Sequence, residues 1–355
     1  CPIYNPDGYV AGSRYNANGV DLNRNYPDRF TNPVDDPTGR EPETQAFMAF
    51  GSQHRFVMGA NYHGGALVLN YPWDAVAAPD EEIIPAYAPD DELFHQFGYG
   101  YTSLNPDMFA SKTFDDGLTV GWEWYQLYGG LQDWAYLYRG EHHVTIEVST
   151  VGNPAFTRMD DYWNANRDGM LWWMGQAVTG LRGRVLDARN KAPLDAVVSV
   201  EGMPAPNFAR TDPALGDFHR VILPGSYTLT AAAEGYISQS APLTVPAGAA
   251  AEQTFYLCPS AGVNLSGTVI EVGSGVPLAA TVEVLGAPVT AAADAASGGY
   301  SAQVCPGEYT LRVSAPEHYP WERRVSIFAD SRQDFSLYSM LGPPPQTFWL
   351  PIVSR

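Results

Sequence analysis

Two hydrophobic rhythms run along this chain, and they change character near residue 180. In the first part, Pro42-Glu-Thr-Gln-Ala-Phe-Met-Ala-Phe50 opens with Pro and places Glu in its first turn, which predicts a helix start. Arg55 to Tyr62 is a largely apolar run that predicts a buried strand ending at His63-Gly64-Gly65. A further helix is expected near residues 90–100. His143-Val-Thr-Ile-Glu-Val-Ser149 alternates with the period of a strand and puts Glu147 inside it. Trp163, Met170, Trp173 and Met174 recur at helical spacing behind Asp160 and Asp161, so 159–178 reads as a closing helix with its aromatic stripe in the core. Residues 1–30 read as a strand end, a turn at Asn5-Pro-Asp-Gly8 and a loop.

From Gly180 onward, short alternating runs are separated by Pro-Gly turns, and the pattern occurs twice. Gly183-Arg-Val-Leu, Leu223-Pro-Gly-Ser-Tyr-Thr-Leu and Phe255-Tyr-Leu return as Gly267-Thr-Val-Ile, Cys305-Pro-Gly-Glu-Tyr-Thr-Leu and Phe335-Ser-Leu. Strands at this regular spacing predict two small β-sandwiches. The expected organisation is a first domain over 1–179, sandwiches over 180–258 and 259–339, and a Pro-rich tail over 340–355.

Composition narrows the classes. A net charge of −19 over 355 residues is unevenly spread: 24 acidic residues face 9 basic ones up to residue 181. Phosphate binding needs a basic face, so nucleic acid is excluded as an expected partner. An acidic field favours cationic substrates by steering. The runs Asp80-Glu-Glu and Asp90-Asp-Glu read as solvated faces. No apolar run approaches the roughly 20 residues of a membrane span. Cys1, Cys258 and Cys305 form no metal motif; the last two could pair in an oxidising compartment or be unrelated.

The densest chemistry lies at Arg14 to Arg24. Arg14, Asn23 and Arg24 gather two guanidinium groups and a carboxamide, a donor set suited to an oxyanion. Downstream stand His63 in Tyr-His-Gly-Gly, Tyr125 shortly before Gly129-Gly130, and Glu147 in Thr-Ile-Glu-Val-Ser. A buried strand Glu needs a partner, a proton or a purpose, and a general base has that purpose.

In order, the chain carries Asn5-Pro-Asp-Gly-Tyr, Gly19-Val-Asp-Leu-Asn-Arg-Asn-Tyr-Pro, Asn61-Tyr-His-Gly-Gly-Ala, Asn70-Tyr-Pro-Trp-Asp, Trp124-Tyr, Gly129-Gly-Leu-Gln-Asp-Trp and Thr145-Ile-Glu-Val-Ser. Across residues 1–180 it resembles the zinc metallocarboxypeptidases, in particular the subgroup of carboxypeptidases D, E and N. The resemblance implies an α/β carboxypeptidase fold, with a mixed central sheet flanked by helices, followed by transthyretin-like β-structure. It implies Zn2+ on His63, Glu147 as general base, Arg14 at the oxyanion, and Asn23 and Arg24 on the substrate's terminal carboxylate. Tyr125 would close over substrate. Asp74, with Gln132 at the pocket base, would select C-terminal Lys or Arg. Asp21 would orient a zinc-bound His from behind. Val120 and Trp122 depart from the Asn and Ala of many relatives, which leaves the pocket's shape open.

The resemblance also implies two more zinc ligands in a His-x-x-Glu motif. None of the seven His residues has Glu three positions on. The expectation is therefore a chain that begins inside the catalytic domain, binds zinc weakly and hydrolyses little until a preceding segment is supplied. An extracellular or cell-surface location is implied by the family. The alternative is an inactive relative that binds peptide C-termini or surface partners.

Overall fold

The computed structural model describes residues 1, 3–260, 262–287 and 289–341. The expected Pro-rich tail, from residue 342 on, lies outside the described residues. The chain forms two compact units. One comprises residues 1–185, 193–233 and 239–255; the other comprises 186–192, 234–238 and 256 onward.

In the first unit the central sheet has four strands: β1 (Met58–His63), β2 (Leu67–Tyr71), β3 (Leu118–Val120) and β4 (His142–Val148), in the order β1-β4-β2-β3. The pairs β1–β4 and β2–β3 are parallel and β2–β4 is antiparallel, so the sheet is mixed. Beta4 is interior and nearly continuous in its burial, as a strand covered on both faces should be. Beta1 is the edge strand and is only half-buried, with Tyr62 exposed; the expectation of a buried strand is thus corrected. Its apolar run is short and broken by Asn61.

Helix α1 (Pro6–Ala11) replaces the turn expected at Asn5-Pro-Asp-Gly8. Asn5 caps it, its carboxamide oxygen accepting from the Gly8 N–H at 2.8 Å, with Pro6 following. Asn followed by Pro is as good a helix start as a turn start, and the following residues settle it. Helix α2 (Pro42–Gln53) and helix α3 (Asp91–Thr102) fall where the pattern predicts them. Leu93, Phe94 and Tyr101 of α3 join Leu69, Tyr71, Trp73, Tyr136, Val144 and Ile146 in the core beside the sheet.

The long helix Met159–Gln176 also forms, but its stripe is not core throughout. Trp173 is buried, whereas Trp163 and Met174 are 54% and 59% exposed. The buried line runs through Asn166, Gly169 and Trp173. At about 100° per residue, Trp163 and Met174 lie roughly 60–80° around the helix from Asn166. Asn166 is chosen for the interior because its carboxamide oxygen accepts from Tyr101 Oη (2.9 Å) and Asn105 Nδ2 (3.0 Å).

The acidic run at Asp90 is corrected too. Asp90 is 4% exposed and pairs with buried Arg220 of the strand Asp217–Arg220. Among the described residues, the strands after residue 180 form four further sheets. Corresponding bonds recur along them: Tyr227 Oη donates to the Leu223 carbonyl and Tyr309 Oη to the Cys305 carbonyl, each at 2.8 Å. The Val185 and Val269 N–H groups likewise donate to the carbonyls of Gly216 and Gly298, each at 2.8 Å. The sequence repeat is therefore a repeat of local structure. In the second unit Leu265, Val269, Val282, Leu311, Ile327 and Phe335 share one core. Cys258 and Cys305 form a disulfide there, with Cα atoms 5.5 Å apart, which closes the question the sequence left open.

Candidate active site

The register of β1 on β4 sets the site. His63 lies opposite Glu147 and Asn61 opposite Thr145, and on the next strand Asn70 pairs with Thr145. Side chains two apart point the same way, so His63, Glu147, Asn61, Thr145 and Asn70 share one face of the sheet.

His63 ends β1, half-buried, and Gly64-Gly65 follow. Enclosure and the nearby Arg14 guanidinium lower its imidazole to about 4, so the ring is neutral with a lone pair to offer. Glu147 is 9% exposed, and its Oε2 has no hydrogen-bond partner among the described residues. Burial pushes its carboxyl up to about 7, against the opposing pull of Arg14 and the Ala66 N–H.

Arg14, Arg24 and Tyr125 form the exposed rim. Arg14 Nε donates to Asp21 Oδ2 at 2.6 Å, and Asp21 Oδ1 accepts from the Asn23 N–H at 3.0 Å. Asp21 thus braces the short 3-10 turn Leu22–Arg24 and anchors Arg14. Asn23 is fixed from the other side, its Oδ1 accepting from the Leu131 N–H at 2.9 Å. Arg24 donates to the Asn23 carbonyl (2.8 Å) and stands 6.0 Å over the Tyr125 ring. The backbone bond from Tyr26 N–H to the Gly129 carbonyl (3.0 Å) ties this turn to the Gly129-Gly130 loop. Gly129 has φ +71°, and a Cβ there would meet the Arg24 carbonyl at 2.6 Å, so the close approach requires glycine.

Behind the rim lies Asp74, 2% exposed. Its Oδ1 accepts from Gln132 Nε2 (2.8 Å) and Asn70 Nδ2 (3.1 Å), while Oδ2 has no donor among the described residues. A Cβ on Gly130 would lie 2.9 Å from that Oδ2 and 3.9 Å from Asn23 Oδ1, so the open oxygen faces the same small space as Asn23. The structure therefore brings together Asn23, Asp74, Gln132 and the Gly129-Gly130 loop, with Arg24 and Tyr125 alongside. Arg14, His63 and Glu147 form the neighbouring group, coupled electrostatically.

Three contributors were not singled out from sequence. Asn70 holds Asp74 from four residues away. Asp133 accepts the Asp74 N–H on both oxygens, at 3.0 and 3.1 Å. Arg29 stacks 4.1 Å over Trp73 and donates to the Ala75 carbonyl at 2.8 Å. Asn70 and Asp133 sit inside motifs that were legible, but nothing in the motifs says which way each side chain turns.

His63 has the chemistry of a zinc ligand: a neutral imidazole beside an acid. Catalytic zinc takes three protein ligands, and among the described residues no group of three His, Cys, Asp or Glu side chains converges to hold a metal. His63 fits the ion as one ligand; the set is not complete in these residues.

Residues 1–169 match the family described as zinc carboxypeptidase. The chain is 39% identical over 242 residues to carboxypeptidase SOL1 of Arabidopsis thaliana, covering 67% of this chain and 48% of that one. It is 38% identical over 278 residues to carboxypeptidase D of Rattus norvegicus, covering 72% and 19%. It is 35% identical over 284 residues to the carboxypeptidase N catalytic chain of Mus musculus, covering 70% and 62%. The chain thus spans between a fifth and three fifths of the length of these relatives. With the motifs in order, His63, Glu147, Asn61, Thr145 and Asn70 on one face of a mixed sheet and this match behind them, the chain belongs, through residues 1–169, to the zinc carboxypeptidase family.

Proposed function

We propose that this chain carries the substrate-recognition and general-base part of a zinc metallocarboxypeptidase that removes C-terminal Lys or Arg from peptides or proteins. One observation carries the reading. Asp74 keeps one carboxylate oxygen saturated by Gln132 and Asn70 and leaves the other open beside Asn23. A cationic side chain on that oxygen would place the substrate's terminal carboxylate against Asn23 and Arg24.

In this reading Arg24 and Asn23 grip the carboxylate, a charge-assisted contact that an amidated terminus cannot make. Glu147 takes a proton from the attacking water and passes it to the departing amine, a task suited to a carboxyl poised near 7. Arg14, held by Asp21, offers positive charge to the developing oxyanion. Tyr125, exposed on the rim, closes over the substrate. Zinc, when bound at His63, supplies the Lewis acid for the scissile carbonyl; the reading requires two further ligands beyond the described residues.

The strands after residue 180 are assigned to two β-sandwiches, 180–258 and 259–339. The disulfide supports an extracellular or cell-surface setting, since such bonds persist in oxidising compartments. Among the described residues no helix is long and apolar enough to cross a membrane.

The test is calorimetry of peptide binding to the 355-residue chain. A peptide ending in Arg with a free carboxylate should bind at least tenfold more tightly than its amide. Asn23→Ala with Arg24→Ala should erase that difference, and Asp74→Lys should erase the preference for Arg over Ala. Equal binding of acid and amide by the parent chain would remove the recognition role. Intact recognition without hydrolysis in the zinc-loaded full-length gene product would leave a peptide binder instead.

A further inference from the structure

Asp74 is not the only acid in the proposed pocket. Asp133 is 5% exposed. Both its oxygens accept the Asp74 N–H, and the Ala75 N–H also faces it. Its orientation is locked because Gln132, its neighbour on the same short helix (Leu131–Trp134), bonds Asp74 Oδ1. One turn thus grips Asp74 twice, by its backbone through Asp133 and by its side chain through Gln132.

We propose that Asp133 is a positioning residue of the specificity pocket that shares a single negative charge with Asp74, so that a basic C-terminal side chain docks on Asp74 Oδ2 with release of one proton to solvent. This rests on the reading of Asp74 as the specificity acid. The hydrogen bonds say where the proton sits. Both oxygens of Asp133 already accept N–H groups, and Oδ1 of Asp74 accepts two carboxamides. N–H donors on both oxygens favour the ionised form of Asp133, whereas Oδ2 of Asp74 accepts none and takes the hydrogen. Two buried carboxylates this close do not both ionise while the pocket is empty. An arriving ammonium or guanidinium restores the second charge, and the O–H bond of Asp74 breaks heterolytically as the ion pair forms.

The charged groups facing the pair are few. Arg24 acts on Asp74 and Arg29 acts on Asp133. Asn70 and Gln132 are neutral. Burial raises both acids, Asp74 to about 7 and Asp133 well above the usual carboxylate range, so the pair holds a proton between them, and the N–H donors on Asp133 favour its place on Asp74. A neutral C-terminal side chain has no charge to exchange for the proton, so selectivity for basic residues should sharpen as pH rises.

The experiment is calorimetry on the 355-residue chain near pH 6, in two buffers of different ionisation enthalpy, with matched peptides ending in Arg or in Ala. Linkage predicts release of close to one proton with Arg and none with Ala, and affinity for the Arg peptide rising up to tenfold per pH unit below the midpoint. Asp133→Asn removes the shared charge and should move that midpoint down by at least one pH unit while retaining Arg binding. Arg29→Gln leaves both acids and removes a facing cation, so it should move the midpoint up; it serves if Asp133→Asn fails to fold. Tighter binding of Arg than Ala without proton release would overturn the shared charge and leave the pocket standing. An unmoved midpoint in both variants would overturn the role of Asp133. Equal binding of Arg and Ala would overturn the pocket itself.

Discussion

Substituting Arg220 by Met should destabilise the first unit by about 3–5 kcal/mol, the range for breaking a buried ion pair by removing one partner. Arg220 and Asp90 are 1% and 4% exposed. Asp90 Oδ2 accepts from Arg220 Nη2 and from Tyr136 Oη (2.7 Å), and His142 Nε2 lies 3.2 Å away. Arg220 also donates to the carbonyls of Pro206 and Phe208, each at 3.2 Å, so Met leaves those acceptors unpaired as well. A second route to the magnitude uses the acid itself. Burial alone would raise Asp90, yet Arg220, then His142 and Tyr136, hold it down at about 2 from 3.8. At about 1.4 kcal/mol per pK unit, that net favour for the ionised form is roughly 2–3 kcal/mol. That net figure already includes the opposing cost of burial, so it sets a floor under the expected loss. Because the folded value is depressed, this stability is present above pH 4 and is lost as pH falls toward 2. Urea unfolding followed by tryptophan fluorescence measures it. Arg220→Met with Asp90→Asn should cost less than the sum of the single changes by at least 1 kcal/mol. A cost under 1 kcal/mol for Arg220→Met, or strict additivity, would refute the claim that this pair ties the strand Asp217–Arg220 to the sheet-bearing region.

Two further outcomes follow from single features. Replacing Cys258 and Cys305 by Ala opens a bridge spanning 47 residues, which the chain-entropy model values at about 4 kcal/mol; a thermal midpoint unchanged by the double substitution would show the bridge is absent or idle. Gly130→Ala keeps an ordinary backbone, since φ is −76°, but its methyl meets Asp74 Oδ2 at 2.9 Å and Leu127 Cδ2 at 2.7 Å. It should lower affinity for Arg-ended peptides tenfold or more in the same calorimetry with only about 1–3 kcal/mol of stability lost, and a wild-type affinity would mean that Oδ2 does not face the binding space.

Much of the fold was legible because it rests on local rules. The helix at 42–53 follows from Pro and Glu at its start, and the strand at 142–148 from its alternation. The repeat after residue 180 was visible as matched strands and turns, and its matched hydrogen bonds bear that out. What failed did so for tertiary reasons. Asp90 looked like part of a solvated acidic face, but a cation 130 residues away makes it interior. Trp163 and Met174 looked like core, but the helix turns its Asn166 face inward to meet Tyr101 and Asn105. Helical spacing fixes which residues share a face; it does not say which face the rest of the chain covers.

The same division runs through the site. Sequence by itself determined the residue types: two guanidinium groups, a carboxamide, an imidazole at a strand end and an acid inside a strand, in an order that identifies the family. Tertiary structure decided their partners. The register of β1 on β4 sets His63 opposite Glu147, and the packing of 131–134 against 70–74 gives Asp74 one saturated oxygen and one open one. Those facts depend on contacts spanning up to 84 residues, between chain segments whose own patterns are indifferent to each other. A hydrogen bond costs its donor and acceptor their water wherever it forms, so the place of each polar side chain is settled only when the whole core closes.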